Sequence, residues 1–141
     1  MTYFAVLDTN VLVSAMLKSD SVPGTVLELA LGGNITPVFN EAILQEYREV
    51  LCRSKFHFGE QIVDAVIQSI VNHGVCVDAE KLDPSQFPDP DDIVFYEVVM
   101  EERKSEETYL VTGNLRHFPV KPFVVTPKQM LDLILSTQSE S

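Results

Sequence analysis

The chain has 141 residues, 45% hydrophobic and 22% charged, with only 6 Gly and 8 Pro; this suffices for a buried core and excludes a disordered or collagen-like sequence. Its 10 Lys+Arg against 21 Asp+Glu leave a net charge of −11, which argues against a bulk electrostatic grip on nucleic acid or an anionic membrane but leaves room for a local phosphate site. No apolar run approaches the roughly 18 residues of a membrane span, and Met1 to Asp8 lacks a basic-then-apolar secretion signal, so a soluble, cytoplasmic protein with no membrane partner is expected.

Tyr3 to Leu7 is a short apolar run of strand formers that stops at Asp8-Thr9-Asn10, three residues that favour helix starts. A short helix is expected over Val11 to Lys18, and a second from about Pro23 to Leu31, closed by Gly32-Gly33. Ile35 to Phe39 reads as a strand whose Pro37 pushes it towards an end or an edge. Asn40 caps a helix from Glu41 to about Arg53, with Ile43, Leu44, Tyr47, Val50 and Leu51 as its apolar stripe. Gln61 to Asn72 repeats that pattern through Ile62, Val63, Val66, Ile67, Ile70 and Val71.

Val75 to Val77 is a third strand, and Asp78 to Pro90, with three prolines, is a loop. A helix starting at Asp91-Asp92 runs to about Lys104; Thr108 to Thr112 and Phe123 to Val125 are strands. Pro127 opens a last helix through Leu135. Residues 1–135 are expected to form a single domain and residues 136–141 a frayed tail. Cys52 and Cys76 cannot make a zinc site and are expected to be free, buried, small hydrophobes.

Short apolar strands alternating with helices indicate a parallel sheet covered on both faces, here a three-layer α/β/α arrangement with about five strands. In such sheets sites lie at the carboxyl ends of strands. Strand one delivers Asp8, which is either a helix cap or a functional carboxylate stabilised by the helix amino terminus. Glu46 sits at the edge of its helix's apolar stripe and needs a partner or a cleft; Arg53 is an available ion-pair partner. In Asp89-Pro90-Asp91-Asp92, capping alone explains two of the three acids, and spacing does not separate Asp91 from Asp92.

Strand four ends in Thr112-Gly113-Asn114, followed by Arg116 and His117. This is either an ordinary turn or a set of hydrogen-bonding and phosphate-contacting groups. If strands one and four are neighbours, Asp8, Glu46, Asp92 and Asn114 can converge. Three carboxylates within about 4 Å repel by about 4 kcal/mol per pair at an effective dielectric near 20, so the cluster needs a cation. Oxygen donors alone select a hard ion, Mg²⁺ or Mn²⁺, which suits phosphodiester hydrolysis.

Val6-Leu7-Asp8-Thr9-Asn10-Val11-Leu12, the internal Glu46, the Asp-Pro-Asp-Asp block and Tyr109-Leu110-Val111-Thr112-Gly113-Asn114 together resemble the PIN domain family over roughly residues 2–127. More narrowly they resemble its bacterial toxin components of toxin–antitoxin systems, relatives of VapC-type toxins. The resemblance implies a parallel five-stranded sheet and Mg²⁺- or Mn²⁺-dependent cleavage of RNA. It places the ligands on Asp8, Glu46 and Asp92, with Asp91 as the alternative, and a fourth catalytic position on Asn114. Many members carry Asp at that fourth position, so the neutral Asn114 favours one tightly held ion over two. Asn10, Thr112 and Arg116, with Arg48 and His117 further candidates, would contact substrate. A homodimer and a small cognate antitoxin are implied as well.

Two other functional classes share these features. A PIN-like scaffold with negligible turnover, held by a partner protein, suits the charge, since even two bound Mg²⁺ would leave about −7. A phosphoacceptor domain of the receiver type also uses acids at strand ends. That reading is disfavoured by a first strand with only Asp8 and by Lys128 lying beyond Thr126-Pro127.

Overall fold

The structure, a computed structural model, describes residues 3–140; residues 1, 2 and 141, the outer limits of the expected domain and tail, lie outside it. Five strands, β1 (Tyr3–Leu7), β2 (Ile35–Phe39), β3 (Val75–Cys76), β4 (Thr108–Val111) and β5 (Val124–Val125), form one sheet in the order β3-β2-β1-β4-β5. Every neighbouring pair is parallel. Six α-helices connect and cover them among the described residues: α1 (Thr9–Leu17), α2 (Val22–Leu31), α3 (Glu41–Leu51), α4 (Glu60–His73), α5 (Ile93–Glu102) and α6 (Pro127–Glu140). This is the α/β/α arrangement that the alternation of apolar runs and helical stripes predicts.

The apolar runs form the central strands because burial on both faces leaves no position for a polar side chain. Ala5, Val6, Leu7, Leu110 and Val111 are all at most 1% exposed. Leu7 lies opposite Val111, and the Asp8 amide extends the ladder by donating to the Val111 carbonyl at 2.9 Å. Strands β1 and β4 are therefore neighbours and end together. The chain leaves β1 towards β2 on one side and reaches β4 on the other, which puts the topological switch point at their carboxyl ends.

Several expectations require correction. Strand β2 is not an edge: it lies between β3 and β1. Pro37 is tolerated there because the β3 ladder begins only at Val38, so on that side the missing N–H removes no ladder bond. Both cysteines are exposed rather than buried. Cys76 closes a two-residue strand at the sheet edge, and Cys52 caps the carboxyl end of α3.

The α4 stripe is narrower than its sequence pattern, burying Val63, Ile67 and Ile70 but leaving Ile62 60% exposed. Helix α3 stops at Leu51, and a short 3-10 turn at Ser54–Phe56 leads towards α4. Another such turn, Pro90–Asp92, replaces the expected first turn of α5. Helix α6 spans Pro127–Glu140, past the expected end at Leu135.

Candidate active site

The end of β1 is fastened from three directions. The hydroxyl of the buried Tyr47, on α3, donates to the Leu7 carbonyl at 2.5 Å, which satisfies a backbone acceptor just before Asp8. Asp8 occupies the N-cap position of α1, yet its side chain makes no capping hydrogen bond. Its carboxylate instead accepts from the Thr112 hydroxyl at 2.8 Å and from the Asn10 side-chain amide at 3.2 Å, both on Oδ2. The carboxylate thus caps no first-turn amide of α1 and is held between the end of β4 and the Asn10 side chain.

Thr112 itself is fully buried and also accepts the Asn114 N–H at 3.0 Å. It stands behind Asp8 as a brace and not at a substrate surface. Asn10 accepts the Gly113 N–H at 3.0 Å, so one amide ties α1 to the β4 turn and to Asp8 at once. The Asn10 side chain also lies close to Gly113: a Cβ at that position would fall 3.3 Å from Oδ1.

Glu46 reaches inward from α3 and accepts the Thr9 hydroxyl. Its partner is therefore the residue next to Asp8; the available Arg53 instead lies 3.9 Å from Glu49. Thr9 was missed in the sequence because its strand-end position reads as helix capping. Asp92, in the Pro90–Asp92 turn, hydrogen-bonds His117 Nδ1 at 3.0 Å. Asp89 caps that turn by accepting the Asp91 N–H at 3.0 Å, leaving the Asp91 carboxylate exposed.

These groups line one cleft of about 410 Å³. Asp8, Glu46, Asp91, Asp92 and Asn114 all border it, as do Asn10 and His117. Ser14 and Phe56 border it too; neither stands out in the sequence, since one lies in a helix without polar patterning and the other in a segment of no regular period. Arg116 is exposed on the 3-10 turn Leu115–His117 and does not border the cleft. Arg48 also lies outside it, paired with Asp64 of α4.

The electrostatics follow from burial and crowding. Asp8 is raised from an ordinary 3.8 to about 6, first by burial, with Asp92 adding repulsion and the Thr112 hydroxyl opposing both. Glu46 is raised by burial, with Asp8 and Asp91 adding to it and the Thr9 bond opposing. Asp92 is raised by burial and by Asp89, and His117 opposes. Three carboxylates from three separate elements thus sit in each other's field.

The donor set fits a hard divalent ion in its chemistry: it is made of oxygen, it is partly desolvated, and its charges repel one another without a cation. Among the described residues, however, no three His, Cys, Asp or Glu side chains are gathered into a group that could hold an ion. Each carboxylate is turned to its own local partner, Asp8 to Thr112, Glu46 to Thr9 and Asp92 to His117.

Thr112→Val is expected to test the brace. It removes a donor to a charged acceptor and leaves the Asn114 N–H unpartnered. The protein should lose about 1–3 kcal/mol in urea unfolding at pH 8. Thr112→Ser, which keeps the hydroxyl, should recover most of it; an unchanged midpoint in the valine variant would show that the bond carries no weight.

Comparison with known families gives one match: the family profile described as PIN domain covers residues 5–116. That span runs from the middle of β1 to the turn after β4 and includes every cleft residue named above except His117, the next one along. No curated protein and no solved structure matches the chain.

Proposed function

This chain belongs to the PIN domain family, and from that premise we propose that it is a Mg²⁺- or Mn²⁺-dependent endoribonuclease, the toxin component of a toxin–antitoxin pair. PIN domains are generally nucleases. The observation that carries the proposal is that Asp8, Glu46 and Asp92, from the residue after β1, from α3 and from the turn before α5, border one cleft at the joint carboxyl end of β1 and β4.

Asp8, Glu46 and Asp92 would hold the ion, with Asp91 as the alternative to Asp92. When bound, such an ion would supply charge neutralisation and a lowered pKa for an attacking water. The protein's own work is positioning. Thr112 and Asn10 fix the Asp8 carboxylate, Thr9 fixes Glu46, and His117 fixes Asp92. Asn114 is exposed at the cleft and presents an amide that can donate to a phosphate oxygen or orient a water. Being neutral, it adds no charge to hold a second ion. Asn10 lies within reach of substrate but is already engaged on both sides of its amide. Arg116 would meet the RNA backbone outside the cleft.

Partners follow the same reading: RNA as substrate, a cognate antitoxin that silences the nuclease, and a second copy of the chain in a homodimer, all in the cytoplasm. Among the described residues no helix is long and apolar enough to cross a membrane.

A second reading has its own support. The carboxylates are not drawn into a closed ligand group, and a net charge of −11 opposes RNA binding, as expected of a weakly active PIN domain held by a partner protein. Incubation with structured RNAs in Mn²⁺, with and without excess EDTA, separates the two. Cleavage that EDTA abolishes is the expected result. No cleavage of several RNAs, together with no calorimetric binding of Mg²⁺ or Mn²⁺ at millimolar concentration, would establish the second reading instead.

A further inference from the structure

The link between α3 and α4 carries a feature that the acidic cleft does not explain. Arg53-Ser54-Lys55-Phe56-His57-Phe58 holds two of the chain's 10 Lys+Arg, one of its 3 His and two of its 8 Phe, with no acid among them. Phe58 packs against the hydrophobic core, whereas Phe56 is half-buried and forms part of the cleft wall beside Val50. The two rings stack with centroids 5.6 Å apart and planes 14° from parallel. His57 between them adopts the left-handed conformation (φ 57°, ψ 25°), a backbone state uncommon outside glycine. The Lys55 ammonium lies 5.1 Å from the Phe56 ring centre, and among the described residues no carboxylate lies within ion-pair distance of it. An anchored aromatic ring with a cation beside it, at the edge of a cleft suited to phosphate chemistry, matches the recognition of unpaired nucleic acid by ring stacking and backbone charge.

We propose that Phe56 is a stacking platform for one unpaired base of single-stranded RNA beside the cleft, with Lys55 contacting an adjoining phosphate. The proposal rests on the nuclease reading and adds to it one substrate contact outside the carboxylates. Stacking on an aromatic side chain is worth about five- to 150-fold in affinity. An exposed cation over a ring is worth about two- to fivefold. A base therefore displaces the Lys55 ammonium from the ring and leaves it for the phosphate. The contact also answers the charge problem: stacking binds a nucleotide without net positive charge.

The test compares wild type, Phe56→Ala and Phe56→Trp in Mn²⁺, on a single-stranded RNA and on the same strand carrying abasic residues, which have no ring to stack. Phe56→Ala should raise KM for the base-bearing RNA about tenfold and change KM for the abasic strand much less, and Phe56→Trp should restore the RNA KM. An RNA KM unchanged in Phe56→Ala, or an equal loss on both substrates, overturns the proposal. If the wild type hydrolyses neither substrate, the nuclease reading fails on its own. In that case the fluorescence of a 2-aminopurine-labelled single-stranded RNA decides. Quenching by wild type but not by Phe56→Ala sustains the platform, and equal or absent quenching overturns it.

Discussion

Asp8→Asn is expected to cut Mn²⁺-dependent RNA cleavage by more than about a hundredfold, since even outer partners of metal ligands cost about 10- to 100-fold when removed. The same change should make the metal-free protein more stable at pH 8. The reason lies in the Asp8 titration. Burial raises it from 3.8 to about 6, so the fold prefers the protonated carboxyl. Asp8's contribution to stability is therefore fully present below about pH 3.8 and lost as the pH rises through about 6. The separation corresponds to about 3 kcal/mol of destabilisation by the ionised form at pH 8. An amide of nearly the same shape escapes this penalty and can still accept from the Thr112 hydroxyl. Urea unfolding in EDTA should show the Asp8→Asn variant gaining about 1–3 kcal/mol at pH 8 and little at pH 4. A less stable variant at pH 8, or one that retains activity, would remove Asp8 from the role assigned to it.

Millimolar Mn²⁺ should raise the thermal midpoint at pH 8 and have little effect at pH 5. The ion must displace protons from its ligands, and Asp8 holds its proton up to about pH 6. Glu46 and Asp92 are shifted the same way, by burial first. At a hundred times the dissociation constant, binding to the folded state alone adds about 2.7 kcal/mol. Metal-free stability should thus fall as pH rises through about 6 while the metal-induced increment grows, so the two curves diverge. Parallel curves with and without Mn²⁺ would show that these carboxylates do not share an ion. Glu46→Gln should shrink the increment without removing the pH dependence that Asp8 sets.

The contrast between these carboxylates and the remaining polar residues reflects how far each is determined locally. Runs such as Tyr3–Leu7 and Thr108–Val111 announce buried strands because every side chain in them is compatible with a two-sided core. Stripes such as Ile43, Tyr47 and Leu51 announce a helix face because 3.6 residues per turn brings them together. Asp8 at a strand end and Glu46 at a stripe's edge were visible as candidates for the same reason. The alternation of elements was enough for the α/β/α class, and several motifs in series were enough for the family, which the profile over residues 5–116 confirms.

Which elements touch was another matter. Asp8 and Thr112 are 104 positions apart, and only the placement of β4 beside β1 brings the hydroxyl to the carboxylate. The same packing gave Glu46 a threonine where the helix offered an arginine, placed Pro37 inside the sheet, and left both cysteines in solvent. Phe56 carried no periodic signal at all; the turn after α3 stacks it on Phe58 and sets it at the cleft. Periodicity in a chain reports which side of one element is apolar. Strand order, partner choice and the meeting of distant carboxylates depend on the free energy of packing whole elements together, so for this protein they were decided only in three dimensions.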